Sequence, residues 1–128
     1  MSDPLDFLRA FAIVAALALA AGPVSALAGA APHVVQLTIT QRIASGPEVG
    51  DDHVVVVTEG EDVEIRWRSD EDATVHLHGY DIETELVAGA ETVVRFTARA
   101  TGRFPIEAHR IGTDHNEIVL VYLEVHPR

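Results

Sequence analysis

Apolar and polar residues alternate with a period of two along much of the chain beyond residue 32. The segment DVEIRWR (62–68) shows the pattern most clearly, because its apolar and charged residues take alternate positions: Val63, Ile65 and Trp67 against Glu64, Arg66 and Arg68. Successive side chains of an extended strand point to opposite faces, so this alternation predicts a strand with one buried face. Similar apolar, β-branched runs predict further strands at 33–40, 53–60, 91–98, 102–109 and 117–125.

Two shorter segments complete the predicted set, ATVHL (73–77) and ETELVAG (83–89), and a loop with glycines and a proline is expected over 41–52. No helical period of useful length follows residue 28. The fold class is therefore all-β, a Greek-key β-sandwich or barrel of about eight antiparallel strands. The residues predicted to fill its core are Val63, Ile65, Trp67, Val75, Leu77, Val94, Phe96, Phe104, Ile106, Leu120 and Tyr122.

The first 28 residues follow a different pattern. Ala10–Ala21 is an unbroken apolar run, and Ala26 and Ala28 form the A-x-A arrangement that signal peptidase recognises. The run is shorter than the ~20 residues of a membrane-spanning helix. The sequence thus predicts a signal peptide over 1–28, a domain over 29–128 and a periplasmic or secreted location. An uncleaved segment that anchors the chain in a membrane is the alternative.

The chain is strongly acidic, with a formal net charge of −11. Only Asp3, Asp6 and Arg9 are charged before residue 29, so almost all of this charge belongs to the predicted domain. Such a surface disfavours nucleic acid and anionic lipid, and it favours cations and basic partners. The chain also has no cysteine. This excludes disulfides, thiolate zinc sites and a thiolate-ligated copper centre.

Two predicted strands carry pairs of side chains that can bind metal. His76 and His78 share one face of ATVHLHGYD, and Glu107 and His109 share the face of GRFPIEAH that lies opposite its apolar residues. If the two strands are neighbours, three imidazoles and a carboxylate converge on one ion at bond lengths of about 2.0–2.2 Å. The alternative is a solvated polar face on which Glu107 pairs with an arginine.

The other four histidines carry weaker signals. His33, His53 and His126 lie at strand beginnings or at the end of the sequence, which favours solvated surface positions. His115 lies in the loop IGTDHNE, where it is either an additional ligand or a turn residue.

The histidine motifs resemble the copper-binding strands of multicopper oxidases, in the cupredoxin superfamily. Those strands carry an H-x-x-H-L-H-G element and a later G-x-[YWF]-x-x-H-C-H element. Here HLHG begins at His76, the blue-copper histidine position falls on Ala73, and the H-C-H triplet falls on Glu107, Ala108 and His109. The resemblance implies that both blue-copper ligands are replaced by alanine, while the other face keeps the two histidines of HLHG and a pair formed by Glu107 and His109.

The run from residue 33 to residue 128 is also similar to EfeO-type cupredoxin-like domains, which are associated with periplasmic metal uptake. The similar stretches include TEGEDVEIRW before the histidine motif and YLEVHPR at the end. This resemblance implies an exported protein that handles a metal ion.

Together these features predict a metal-binding protein with His76, His78, Glu107 and His109 as metal residues. Glu107 either binds the ion or orients His109. Copper is the expected metal, with zinc or iron as alternatives. The expected partners are a divalent metal ion and another exported metal-handling protein. A metal-free interaction module and a small metal-dependent redox enzyme are the competing hypotheses, although no nucleophile with a base and no phosphate-binding loop favours catalysis.

Overall fold

The computed structural model describes Gly22 and residues 29–128, so the predicted signal segment lies outside it except for Gly22. The described residues form nine strands and no helix: β1 (His33–Thr40), β2 (Ile43–Ser45), β3 (Val54–Thr58), β4 (Asp62–Ser69), β5 (Ala73–Leu77), β6 (Ile82–Leu86), β7 (Thr92–Thr97), β8 (Gly102–Ile111) and β9 (Ile118–His126). Among these residues, no helix is long and apolar enough to cross a membrane.

The strands form two sheets. Sheet 1 has the order β2–β1–β4–β7, and sheet 2 has the order β3–β9–β8–β5–β6. Most neighbours run antiparallel, but β1 pairs with β4 and β3 with β9 in parallel. The predicted all-β class is confirmed. The parallel pairs and the short β2, which lies within the predicted loop 41–52, differ from the prediction because a period of two reveals neither strand direction nor a three-residue edge strand.

A single apolar core joins the inner faces of the two sheets. Alternate residues of the central strands are buried, as a period of two requires. The core includes Val35, Leu37 and Ile39 of β1, Val63, Ile65 and Trp67 of β4, Ala73, Val75 and Leu77 of β5, and Val121, Leu123 and Val125 of β9. Trp67, the one tryptophan of the chain, is only 2% exposed.

Seven of the eleven predicted core residues are buried, and the other four are only half-buried. Val94, Phe96 and Phe104 are half-buried and pack against the margin of the core. Val94 and Phe96 belong to β7, the last strand of sheet 1, where no further strand covers them.

A β-bulge in β9 explains why Leu120 is buried and Tyr122 is not. Ile106 pairs with Val121 and Glu107 with Val119, so Leu120 is an extra residue of β9. Leu120 and Val121 are consequently both buried. The prediction that Tyr122 fills the core is wrong, because Tyr122 lies on the outer face and is half-buried. There the Arg103 guanidinium covers its ring at 4.3 Å from the ring centroid.

Candidate metal centre

The two histidine-bearing strands are direct neighbours in the middle of sheet 2. β5 and β8 pair antiparallel, and His76 lies opposite Glu107 in their register. Residues directly opposite each other in such a pair point to the same face. The inner face of β5 is buried by Ala73, Val75 and Leu77, so the His76 side chain lies on the outer face with Glu107.

A β-bulge in β8 falls at His109. Thr74 pairs with Arg110 and Val75 with Ala108, which leaves His109 as an extra residue between the two pairs. Ala108 and Ile111 are both buried although they lie three positions apart, while His109 and Arg110 are half-buried. Glu107 and His109 therefore share the outer face, and the alternation breaks after His109. Bulges commonly redirect side chains beside functional sites.

The turn from β5 to β6 positions His78. The His78 backbone N–H donates to the carbonyl of Pro105 at 3.1 Å, which holds the turn against β8. Gly79 has a φ of 82°, and a Cβ at this position would collide with the Phe104 ring. Only glycine satisfies both conditions without strain. Tyr80 then packs against Phe104 with ring centroids 5.2 Å apart.

Three imidazoles meet on this outer face. The ring centroids of His76 and His78 are 4.2 Å apart, and the His109 centroid lies 5.0 Å from that of His76 and 5.8 Å from that of His78. One ring nitrogen from each histidine can be chosen so that all three atoms lie within 4.8 Å of one another. The structure thus brings together three of the four predicted site residues as one group.

Glu107 lies beside this group and bonds one of its members. Its Oε2 is 2.7 Å from His78 Nε2 and 4.0 Å from His109 Nε2. The first separation is a charge-assisted hydrogen bond, and the second is too long for one. The predicted alternative, an ion pair between Glu107 and an arginine, is not among its contacts within residues 29–128.

Two further carboxylates approach the histidines, and neither belongs to the predicted set of site residues. Asp81 Oδ1 is 3.3 Å from His76 Nε2, and Glu117 Oε1 is 4.0 Å from His109 Nε2. Asp81 reaches His76 through the β5–β6 turn, and Glu117 precedes β9. The one available sequence signal was that Asp81 is acidic and lies two residues after HLHG, and only the turn geometry shows that it reaches His76.

Two imidazole nitrogens in the group are buried and have no hydrogen-bond partner among residues 29–128. These atoms are His76 Nδ1 and His109 Nε2. Buried polar atoms in folded proteins are nearly always satisfied, so each exception calls for an explanation. A cation bound between the imidazoles would supply the missing partner to both nitrogens.

The remaining histidines lie outside the group. His33 and His126 contact Glu61 and Glu124 respectively, while His53 and His115 are exposed. The structure does not bring His115 into the candidate site. Within residues 29–128, His76, His78 and His109 form the one cluster of three or more potential ligands with this spacing.

The two positions where the resemblance to multicopper oxidases puts the blue-copper ligands belong to the core. Ala73 and Ala108 are both 0% exposed and belong to the apolar cluster. Neither residue has a side chain that can bind a metal.

Similarity to known proteins is found in structure and not in sequence. No model of a known protein family matches the chain, and no curated protein sequence matches it. The periplasmic domain of subunit II of cytochrome oxidase (CoxB) from Bradyrhizobium japonicum superposes with a TM-score of 0.57 at 16% identity, over 77% of this chain and 87% of that domain. The fold is cupredoxin-like.

Two other solved structures share this fold. A copper-binding protein determined by NMR in its apo form superposes with a TM-score of 0.53 at 14% identity, over 77% of this chain and 100% of that protein. A chain of a haem-copper terminal oxidase dimer superposes with a TM-score of 0.58 at 17% identity, over 73% of this chain. The protein spans 65% of the length of that oxidase chain.

Proposed function

We propose that this protein is an exported cupredoxin-like protein that binds one copper ion through His76, His78 and His109. The observation that carries the proposal is the pair of buried, unpartnered nitrogens, His76 Nδ1 and His109 Nε2, within a group of three imidazoles. A solvated polar face would leave these nitrogens to water. Here both nitrogens are buried.

The spacing of the group is suited to an ion after a small contraction. Two imidazole nitrogens bound to one tetrahedral ion at about 2.0–2.1 Å lie about 3.3 Å apart. The three nitrogens lie within 4.8 Å of one another. Side-chain rotations that move each nitrogen by about 1 Å would bring them to the spacing of metal ligands. His78 and His109 keep side-chain exposures of 38% and 29%, which leaves a route for the ion from solvent.

Copper is the metal that the donor set and the fold favour. Imidazole suits copper and zinc, and the affinity order for divalent ions places copper above zinc. The shared fold of the apo copper-binding protein adds support. Bound copper would supply a positive centre and a one-electron couple. The chain has no cysteine, so the intense thiolate colour of a blue-copper site is not expected.

Glu107 is proposed to orient a ligand. Histidines that bind metal commonly donate their other ring N–H to a carboxylate, which fixes the tautomer and raises the basicity of the ligand. The 2.7 Å contact between Glu107 Oε2 and His78 Nε2 has this form. In this arrangement His78 offers Nδ1 to the ion.

The test is metal content and stoichiometry in matched variants. Copper should bind the wild-type protein at one equivalent, and electron paramagnetic resonance should show coupling to imidazole nitrogens. His78→Ala and His109→Ala should each lose tight binding. His126→Ala is the matched control, because His126 is an exposed histidine that contacts Glu124 away from the group. Equal copper retention in all three variants would overturn the proposal.

Native metal content decides between copper binding and the competing functions. Protein isolated from its own compartment should carry copper; a metal-free preparation there would favour an interaction module. Binding without turnover is the proposed role, so added anions such as azide should perturb the copper spectrum little. Ready exchange at an open position would favour a metal-dependent redox enzyme instead.

We also propose export and a role in metal handling of the EfeO type. The N-terminal pattern of Ala10–Ala21 followed by Ala26 and Ala28 supports cleavage near residue 28. Sequencing of the native N-terminus should find a chain that begins just after Ala28. A protein that retains Met1 in the cytoplasm would contradict export. Another exported metal-handling protein is the proposed partner.

A further inference from the structure

We propose that Asp81 is a positioning residue that holds His76 as its Nε2–H tautomer, so that the ion binds His76 through Nδ1. The inference rests on the proposed function and adds a residue and a binding atom to the site. Asp81 is not one of the residues that the histidine motifs indicate.

The hydrogen-bond arrangement of His76 carries the inference. Its Nε2 lies 3.3 Å from Asp81 Oδ1, while its Nδ1 is buried and has no partner. An ionised carboxylate accepts hydrogen bonds and donates none, so the contact with Asp81 requires the proton on Nε2. The neutral ring then carries its lone pair on Nδ1, which is the atom that needs a partner.

The turn that carries Asp81 is shaped to bring the carboxylate to the ring. Asp81 has a φ of 54°, in the left-handed region that most non-glycine residues avoid. Aspartate and asparagine tolerate this conformation better than other residues. The Asp81 side chain is fully exposed to solvent, so burial does not explain its position. A contact with His76 gives this backbone conformation a role.

The other carboxylates near His76 are placed differently. Glu107 lies opposite His76 on β8, but its carboxylate bonds His78. Glu83 lies opposite His76 on β6 and is exposed. His76 and His78 therefore each have their own carboxylate on Nε2. In the described part of the chain, His109 has no carboxylate within hydrogen-bond distance of Nε2, so this histidine offers Nε2 itself to the ion.

The test compares Asp81→Asn with Glu83→Gln. Both variants remove one negative charge next to His76, and asparagine keeps the tolerance for a positive φ. The Asn amide can donate as well as accept, so it does not select one tautomer. Long-range proton–nitrogen NMR of the ¹⁵N-labelled, metal-free protein at about pH 8 distinguishes the N–H nitrogen from the lone-pair nitrogen, because imidazoles are mainly neutral there.

The expected result has two parts. In the wild-type protein and in Glu83→Gln, His76 should carry its proton on Nε2; in Asp81→Asn it should sample both tautomers. Copper affinity should fall by about 10- to 100-fold in Asp81→Asn, as is typical when such an orienting partner is lost. In Glu83→Gln it should change by less than about threefold, because an exposed charge that lacks a contact acts only through screened attraction.

Two outcomes would overturn the inference. One is a wild-type His76 protonated on Nδ1. The other is an equal loss of copper affinity in the two variants, which would mean that charge alone matters. If the wild-type protein binds no copper while His76 is still held as Nε2–H by Asp81, the positioning role stands and the proposed copper function fails. Unchanged urea midpoints in both variants would show that neither effect arises from unfolding.

Discussion

Replacement of Gly79 by alanine tests how the β5–β6 turn holds the histidines. The residue has a φ of 82°, and a Cβ there would overlap the Phe104 ring. The left-handed conformation costs an alanine about 1–2 kcal/mol. Displacement of a packed aromatic ring adds about 1–3 kcal/mol, the usual range for overpacking. The free energy of unfolding should therefore fall by about 2–5 kcal/mol.

Gly89→Ala is the matched control for this experiment. Gly89 has a similar φ of 78°, but nothing lies within 4 Å of the position of its Cβ. Gly89→Ala should thus show the backbone cost of about 1–2 kcal/mol without the steric cost. Urea unfolding followed by far-ultraviolet circular dichroism measures both variants. The difference between them isolates the contact with Phe104.

The same pair of variants connects the turn to the metal site. Gly79 lies between His78 and Asp81, so a displaced turn should weaken copper binding in Gly79→Ala, whereas Gly89→Ala should bind as the wild type does. If the two variants unfold within about 0.5 kcal/mol of each other, the Phe104 contact does not constrain the turn and the argument is refuted.

Three further predictions concern the packing of the core, the loss of stability at low pH and the release of metal at low pH. Trp67→Ala should lose about 3–5 kcal/mol in urea unfolding because Trp67 is buried, whereas Val87→Ala, at an exposed position, should lose less than about 0.5 kcal/mol. The hydrogen bond from Arg66, with that from Arg95, lowers the pKa of the buried Glu64 carboxyl. Stability should therefore be lost as pH falls below the ordinary glutamate range and through that lowered pKa, and Glu64→Gln should make this loss shallower in urea midpoints measured from pH 7 to pH 3. Copper affinity measured by equilibrium dialysis should weaken as pH is lowered, because protons compete with the ion for the imidazole nitrogens; an affinity that does not change with pH would contradict a histidine site.

Much of the fold follows from the period-two pattern, and the exceptions have a common cause. Val63, Ile65 and Trp67 alternate strictly and are buried as predicted. The same alternation predicts that Tyr122 is buried. It lies on the outer face of the sheet instead, because the bulge at Leu120 shifts the alternation along β9 by one residue. A bulge depends on how two strands pair, and the sequence of one strand does not encode it alone.

The candidate site was likewise predictable from the sequence only in part. The i, i+2 spacing predicted that His76 and His78 share a face of one strand and that Glu107 and His109 share a face of another, but it left open whether the two strands pair. The structure makes β5 and β8 neighbours and brings the three histidines together. Asp81 and Glu117 could not be found in this way. They reach the histidines through a left-handed turn and a loop, where side-chain direction does not follow a period.

The charge around the three histidines gives the site its chemical character. Glu107, Asp81 and Glu117 each place a carboxylate beside one of the three imidazole rings. Carboxylates at this distance raise the local concentration of cations and stabilise a bound divalent ion. At low pH, protonated imidazoles would satisfy the same carboxylates without metal. In the proposed function, protons and copper would compete for the same nitrogens, so this one arrangement would favour binding at neutral pH and release on acidification.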